Sequence, residues 1–367
     1  MIAIISIFGI SLLCGMTLFT WKIYTFFLKT SPILTHWLLV IALCVPVFFL
    51  LTILSSRAKN PHLPRWIYFV SDYLAGFGYY LFLSALALGT IGAILLYTKG
   101  VTPPYWIVSI FVIAPLVLTT VGFIQAKQIQ ITNYTITLPN FPNSWDGKRF
   151  VLVTDTHFGI ILQKQYSDKI VNTILAQHPD FVLHGGDFYD GPSLDTTPIS
   201  ESWKKLTAVV PVFYAPGNHE LYGDYAGFIK SIDAAGITVL EDKKVSYEGV
   251  EIGGMLFHEK TQVDKALHDI SLVDFTPGVP HILINHQPVF ISEAQHAGTD
   301  LMVSGHTHNG QFWPNTYIVR MIYGIYSYGL QKYENMFVIT SKGVGTAGPP
   351  LRLFNNPEIV VVTIKTK

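Results

Sequence analysis

Four long apolar stretches dominate the first third of the chain and limit what it can fold into. They cover approximately residues 1–21, 33–54, 73–97 and 105–125. About 20 helical residues are needed to cross the ~30 Å hydrocarbon core of a bilayer, and each stretch is long enough. Charges and helix breakers collect between the stretches, and residues 1–126 hold six basic residues but one acidic residue. We therefore predict a transmembrane region of four helices over residues 1–126.

The first stretch lacks the marks of a cleaved signal peptide. It has neither a basic start nor a small-residue cleavage site, and it runs into Trp21 and Lys22. We expect it to be retained as the first span of an integral, multi-pass membrane protein. Basic residues near the membrane number four on one side and three on the other, so the side on which the rest of the chain lies stays open.

Residues 127–367 differ in composition and are predicted to form a separate domain. They hold 18 of the 24 basic residues and 23 of the 24 acidic residues, and this net negative charge argues against a nucleic-acid-binding surface. Short β-branched runs alternate here with amphipathic helical patterns, which is typical of an α/β domain. Both cysteines, Cys14 and Cys44, lie in the apolar region, so a disulfide scaffold and a cysteine-rich metal site are excluded.

Five apolar runs in this domain end in polar residues that can bind metal. These residues are Asp155 and His157, Asp187, Asn218 and His219, His286, and His306 and His308. The ends of strands converge on one edge of an α/β sheet, so clusters that are distant in the sequence can meet in one place. Any one of the 13 histidines would ordinarily be structural. The joint placement of the five histidines in these clusters favours a functional site instead.

The types of side chain in these clusters indicate the chemistry. Aspartate, asparagine and histidine supply the oxygen and nitrogen donors that suit divalent Mn, Fe or Zn. One carboxylate can bridge two cations about 3.5–4 Å apart, which is the geometry of two-metal hydrolases of phosphate esters. Because alternate residues of a strand share a face, the D-x-H pattern predicts that Asp155 and His157 point to the same edge.

The ordered motifs D-x-H, GD, GNHE, a lone His after a strand, and GHTH resemble those of the calcineurin-like metallophosphoesterase superfamily. The resemblance covers residues 150–365. Residues 305–311 and the tail from Gly343 resemble most a bacterial membrane-associated branch, whose relatives include pyrophosphatases of lipid-A precursors such as UDP-diacylglucosamine. The resemblance implies an α/β fold, a calcineurin-like β-sandwich flanked by helices, preceded by a four-helix transmembrane bundle. It also implies a location in the bacterial inner membrane.

Carried over to this sequence, the resemblance implies a role for each clustered residue. Asp155, His157, Asp187 and His308 would hold a first metal, and Asp187, Asn218, His286 and His306 a second. Asp187 would bridge the two divalent ions, which would be Mn, Fe or Zn, and a hydroxide between them would attack phosphorus in line. His219 would protonate the leaving oxygen, so His219 and Asp187 are the predicted catalytic residues. Glu220 would orient His219. From its position after Gly186 and Asp187, Asp190 is interpreted as the cap of the next turn in preference to a metal ligand.

These implications make residues 127–367 a metallophosphoesterase catalytic domain and the chain a membrane-anchored phosphoesterase. It would hydrolyse a phosphodiester or a pyrophosphate, with a lipid or cell-envelope precursor as the candidate substrate and the lipid bilayer as partner. The sequence identifies no protein partner. A membrane sensor with an inactive phosphoesterase domain is the alternative, which the complete set of ligand types disfavours. A transporter is disfavoured because the spans lack paired internal charges.

Residues 309–325 leave two interpretations open. Apolar side chains follow the GHTH motif directly, at Phe312, Trp313, Tyr317, Ile318, Met321 and Ile322. They could present an apolar surface beside the metals to acyl chains, or they could form an ordinary packed pair of strands.

Overall fold

The computed structural model describes residues 2–56, 63–191 and 195–367, with the side chains of the first helix described from Leu13 onward. The chain divides into two compact units. The first comprises Met1–Ile124 together with Gly348–Leu353, and the second comprises Gln125–Ala347 together with Phe354–Lys367. The predicted domain boundary after residue 126 stays a prediction, because compactness alone does not show that a unit folds independently.

Apolar helices make up the first unit. They are α1 (Ile2–Leu28), α2 (Pro32–Ser56), α3 (Arg65–Lys99) and α4 (Tyr105–Gln125). Among the described residues, α2, α3 and α4 are long and apolar enough to cross a membrane, whereas the described part of α1 is a shorter apolar helix. These helices make the chain a membrane protein. The third predicted stretch began at Tyr73, whereas α3 begins at Arg65, directly after Pro64.

Two six-stranded sheets form the centre of the second unit. In spatial order, the first sheet consists of β1 (Gln130–Thr137), β12 (Glu358–Lys365), β2 (Arg149–Val153), β3 (Phe181–His184), β4 (Val212–Tyr214) and β5 (Thr238–Val239). The second consists of β10 (Gly329–Tyr333), β11 (Met336–Thr340), β9 (Leu301–Ser304), β8 (His281–Ile284), β7 (Val250–Gly254) and β6 (Lys243–Tyr247).

The two sheets share an apolar core and are covered by helices on their outer faces. Phe150 of the first sheet and Ile282 of the second are fully buried in the same cluster. The first sheet packs against α5 (Lys164–Leu175), α6 (Thr197–Thr207) and α8 (Tyr225–Ala234), and the second against α9 (Val263–Val273) and α10 (Ile291–His296). The predicted α/β sandwich flanked by helices is confirmed.

The order of the strands brings the predicted clusters together. Strands β2, β3 and β4 run parallel to each other in the first sheet, and β8 and β9 run parallel in the second. Each of these strands ends just before one of the predicted clusters. The clusters therefore lie at the carboxyl ends of parallel strands, where α/β proteins place their ligands.

Residues 309–325 contain a helix, α11 (Asn315–Tyr323), and the strand pair of β10 and β11 comes only after it. Two pairs of apolar residues lie four positions apart, which is about one helical turn: Tyr317 with Met321, and Ile318 with Ile322. This spacing matches the period of a helix and not the two-residue period of a strand. The interpretation of these residues as a strand pair was wrong.

Candidate metal centre

The first group of candidate ligands consists of Asp155, His157 and His308. The Nε2 atoms of the two histidines lie 3.0 Å apart, and Asp155 Oδ1 lies 3.5 Å from His308 Nε2 and 4.0 Å from His157 Nε2. All three residues are buried. Asp155 and His157 follow β2 whereas His308 follows β9, so this group joins the two sheets. The atoms converge closely enough to bind one cation.

The second group consists of Asp187, Asn218, His286 and His306. His286 Nε2 lies 3.1 Å from Asp187 Oδ2 and 3.2 Å from Asn218 Oδ1. His306 Nδ1 lies 2.8 Å from the same Asn218 oxygen and 3.2 Å from His286 Nε2. The carbonyl oxygen of Gly185 accepts a hydrogen bond from His286 Nδ1 at 2.6 Å, so Nε2 is the ring nitrogen that faces the group.

Asp187 lies between the two groups. Its Oδ2 is 3.1 Å from His286 Nε2 in the second group and 3.8 Å from His157 Nε2 in the first. Its Oδ1 accepts a hydrogen bond from the backbone N–H of His219 at 2.9 Å. The fold thus gathers all of the predicted ligands around one carboxylate, while their roles as ligands stay a prediction.

Left-handed backbone directs most of these side chains. The residues with φ between 46° and 66° include Asp155, His157, Asp187, His306 and His308. Each such position costs a non-glycine residue about 1–3 kcal/mol, and such strain is concentrated at functional sites. A Cβ atom at Gly217 would overlap the Asp187 carboxylate, and one at Gly305 would overlap that of Asp155. Glycine is therefore required where the neighbouring backbone approaches these two carboxylates.

Burial and charge set the protonation states of the candidate ligands. Burial lowers the pKa of His157 to about 4 and that of His306 to about 3, so both rings are neutral near pH 7, the form that binds metal. Burial opposes ionisation of Asp187, but the charge and hydrogen bond of His286, together with the charges of His157 and His219, outweigh burial and hold the pKa of Asp187 well below its usual range. Burial lowers the pKa of His286, but the charge and hydrogen bond of Asp187, with the charge of Asp155, outweigh burial and raise this pKa to about 9, so a metal would displace a proton from the ring.

The donor set fits divalent cations. Imidazole nitrogens face each other at 3.0 Å and 3.2 Å in the two groups, an arrangement that a shared cation stabilises. Asp155 and Asp187 are both buried, and burial raises the pKa of Asp155 to about 6. Positive charge between the two carboxylates would offset both their desolvation and their mutual repulsion.

His219 lies beside these groups, on the short helix α7 (Asn218–Tyr222). It is close enough to His157 and Asp187 to form a third possible cation cluster, but Asp190 Oδ1 accepts a hydrogen bond from its Nδ1 at 3.0 Å. Burial lowers the pKa of His219, yet this hydrogen bond and the charge of Asp187 outweigh burial and raise it to about 9. The ring therefore carries a proton near neutral pH, as a general acid must.

The predicted roles of Asp190 and Glu220 were wrong. Asp190 contacts the ring of His219, whereas Glu220 binds backbone. The N–H groups that donate to the Glu220 carboxylate are those of Phe188 at 2.7 Å, Tyr189 at 3.1 Å, Gly217 at 2.8 Å and Asp187 at 3.1 Å. Glu220 is fully buried. Its hydrogen bonds hold the loop after β3 against the start of α7.

We expect Glu220→Ala to lower the free energy of unfolding by about 3 kcal/mol or more, because buried N–H groups without an acceptor cost about 1–3 kcal/mol each. Glu220→Gln keeps one acceptor oxygen and should lie between the wild type and the alanine variant. Thermal unfolding of the full chain in excess chelator measures this, free of any metal contribution. An alanine variant as stable as the wild type would contradict this role.

The tail of the domain supports the first group in a way that the sequence did not reveal. The N–H of Val344 donates to the carbonyl of Thr154 at 3.0 Å, and the N–H of Gly345 donates to that of Asp155 at 2.8 Å. The hydroxyl of Tyr166 on α5 donates to the Val344 carbonyl at 2.6 Å. These bonds fix the loop that carries Asp155, and no local pattern links residues so far apart in the chain.

Comparison with known proteins agrees with this geometry. The family model of the calcineurin-like phosphoesterases matches residues 148–310. These residues are therefore similar to the calcineurin-like phosphoesterases. The matched range contains every candidate ligand and His219. The more specific resemblance to the lipid-A-precursor branch stays a prediction.

Several known proteins are similar in sequence to this chain. An uncharacterized metallophosphoesterase of Helicobacter pylori is 31% identical over 60% of this chain and 60% of its own length. An uncharacterized metallophosphoesterase of Aquifex aeolicus is 29% identical over 65% of this chain and 93% of its own length. A "transmembrane protein with metallophosphoesterase domain" of Danio rerio is 26% identical over 68% of this chain and 60% of its own length. The chain thus spans about three fifths of the first and third relatives.

Proposed function

We propose that the protein is a membrane-anchored phosphoesterase that uses two divalent cations to hydrolyse a phosphodiester or a pyrophosphate. The observation that carries the proposal is the convergence of two donor groups on Asp187, whose Oδ2 lies 3.1 Å from His286 Nε2 and 3.8 Å from His157 Nε2. A carboxylate placed between two sets of oxygen and nitrogen donors is what a dinuclear centre requires. The cations are Mn, Fe or Zn, since the donors are oxygen and nitrogen.

Each residue of the site has a distinct role in this proposal. Asp155, His157, Asp187 and His308 hold one cation, and Asp187, Asn218, His286 and His306 hold the other. When bound, the cations supply Lewis acidity toward the phosphate and an acidified water as nucleophile. His219 donates a proton to the leaving oxygen, and Asp190 keeps the His219 ring oriented and charged.

The substrate is proposed to be a lipid or a cell-envelope precursor in the bacterial inner membrane. Helix α4 ends at Gln125 and β1 begins at Gln130, so four residues separate a span from the first strand of the catalytic domain. So short a connection keeps the domain near the lipid headgroups. Tethering raises the effective concentration only of substrates confined to the same membrane, which favours a lipid-borne phosphate over a freely diffusing one.

Removal of metal tests the reaction class. Full-length protein treated with a chelator should lose hydrolysis of bis-p-nitrophenyl phosphate, and addition of Mn²⁺, Fe²⁺ or Zn²⁺ should restore it. The same additions should raise the unfolding temperature, because a ligand at ~100 times its Kd stabilises the folded state by about 2.7 kcal/mol. If metal-loaded, folded protein hydrolysed neither phosphodiesters nor pyrophosphates, the domain would be a binding module and the proposal would be wrong.

Asp190→Asn tests how His219 is held. The amide keeps the shape of the side chain but loses the negative charge of the carboxylate, whose Oδ1 accepts a hydrogen bond from His219 Nδ1 at 3.0 Å. The rate should therefore fall about 10- to 100-fold with metal content unchanged. In the His219→Ala background the same substitution should have little further effect, because the ring that Asp190 orients is gone. Additive losses in the double variant would show that Asp190 acts independently of His219.

A further inference from the structure

Helix α11 presents an apolar surface to solvent, directly after the GHTH ligands. No residue of α11 is buried within the described chain. The large apolar side chains that are exposed in and around it are Trp313, Tyr317, Ile318, Met321, Ile322 and Ile325, with Met321 79% exposed. We call these six side chains the α11 face. A contiguous exposed patch of this kind in a folded domain marks an interaction surface.

The composition of this segment matches a helix that lies in a membrane interface. Arg320 is the one charged residue between Gln311 and Ser327, and it is exposed. The Nζ of Lys260 lies 3.4 Å from the Ile322 carbonyl, which adds a second cation at the end of the helix. Tryptophan and aliphatic side chains with basic residues beside them favour anionic lipid surfaces.

The α11 face lies next to the candidate metal centre. The rings of Tyr323 and His306 are 6.2 Å apart, and the Tyr323 hydroxyl accepts a hydrogen bond from Gln287 at 2.6 Å. A cleft of about 440 Å³ opens between the His308 loop and the helix, with Phe312, Ile318 and Val319 among its lining residues. An apolar chain in this cleft would be close to a phosphate at the metals.

The α11 face also lies at the end of the domain where the chain leaves its last span. Gln125 is the final residue of α4, and its Oε1 accepts a hydrogen bond from the N–H of Phe354 at 3.0 Å. The next residue, Asn355, donates from Nδ2 to the carbonyl of His308 at 2.7 Å and to that of Asn309 at 3.1 Å. Thr316 of α11 donates to the same Asn309 carbonyl at 3.0 Å. A short series of hydrogen bonds thus connects the exit from the membrane helix to α11.

We propose that the α11 face inserts into the surface of the bilayer and positions the metal centre at the lipid headgroups. The occupant is the bilayer because the covalent link at Gln125 brings lipid to this end of the domain, and because Phe354 beside that link is also apolar and 70% exposed. The further statement that a substrate acyl chain enters the cleft rests on the proposed function. The membrane contact itself does not.

Depth-dependent quenching of a fluorophore tests the contact. In full-length protein carrying Cys14→Ala and Cys44→Ala, Met321→Cys would be labelled with an environment-sensitive dye and reconstituted into phosphatidylglycerol-containing vesicles with nitroxide-labelled acyl chains. Val209→Cys is the matched control, since Val209 is an exposed apolar residue that lies before β4, at the opposite end of the strand from Asn218. We expect quenching at position 321 to exceed that at position 209 by ~5-fold or more, because interfacial helices bury ~5–10 Å into the bilayer.

Equal, weak quenching at both positions would overturn the proposal. Weak quenching at position 321 combined with oligomers in cross-linking would assign the α11 face to a second copy of the chain instead. The same measurement in the Asp187→Ala background separates this proposal from the proposed function, because quenching should persist when hydrolysis is lost. Ile322→Asp should lower the ratio of lipid-linked pyrophosphate to soluble diester hydrolysis about 10-fold, and an unchanged ratio would exclude a role for the α11 face in substrate delivery.

Discussion

Asp187→Ala is expected to reduce hydrolysis by more than about 10³-fold and to lower the metal content. The carboxylate reaches both donor groups, at 3.1 Å from His286 Nε2 and 3.8 Å from His157 Nε2. Without it, two cations would repel each other with no negative charge between them. Single electrostatic contacts to a transition state are already worth about 10²–10³-fold.

Steady-state hydrolysis and elemental analysis of the same full-length sample check both effects. Asp233→Ala is the matched control, because Asp233 is an exposed aspartate on α8, away from the carboxyl ends of the strands. The control should keep wild-type rate and metal. An Asp187→Ala variant that retained its full metal complement would mean that this carboxylate does not bridge two cations.

His219→Ala is expected to lower the rate by about 10²- to 10⁴-fold while the metal content stays near that of the wild type. The backbone N–H of His219, which donates to Asp187 Oδ1 at 2.9 Å, is unaffected by the substitution, so the second group should keep its geometry. The loss should shrink for substrates with a nitrophenolate leaving group, which needs little protonation. Metal lost to the same extent as in Asp187→Ala would make His219 a ligand rather than a proton donor.

The convergence of the candidate ligands could be predicted from the sequence because it depends on strand ends. Short apolar runs mark β2, β3, β4, β8 and β9, and the parallel order of these strands brings their carboxyl ends together. The reason given for Asp155 and His157 was incorrect, however. Both residues follow the end of β2, and left-handed backbone rather than strand alternation directs their side chains.

The partners that support the site could not be predicted in the same way. Asp190 and Glu220 are both carboxylates next to the motifs, and only the loop geometry decides that Asp190 meets the His219 ring while Glu220 accepts backbone N–H groups. A sequence pattern gives the type of a residue but not the direction of its side chain within a loop. The contact of Val344 with the Thr154 carbonyl depends on tertiary packing for the same reason.

Helix α11 could have been predicted from the sequence. The apolar residues of the segment recur at helical spacing, and Gly324 follows the last residue of the helix. The segment is rich in aromatic and β-branched residues, and these favour strands when composition is weighed above period. The helical spacing of the apolar residues was the better guide here. Strand propensity reflects how side chains pack in a sheet, and α11 does not belong to either sheet.

Anomalous scattering from crystals of the Mn-loaded, full-length protein measures the central claim most directly. We expect two anomalous peaks about 3.5–4 Å apart on either side of the Asp187 carboxylate. The ion at one peak should be coordinated by Asp155, His157 and His308, and the ion at the other by Asn218, His286 and His306. A single peak at full Mn occupancy, or two peaks that do not share Asp187, would contradict a dinuclear centre bridged by this residue.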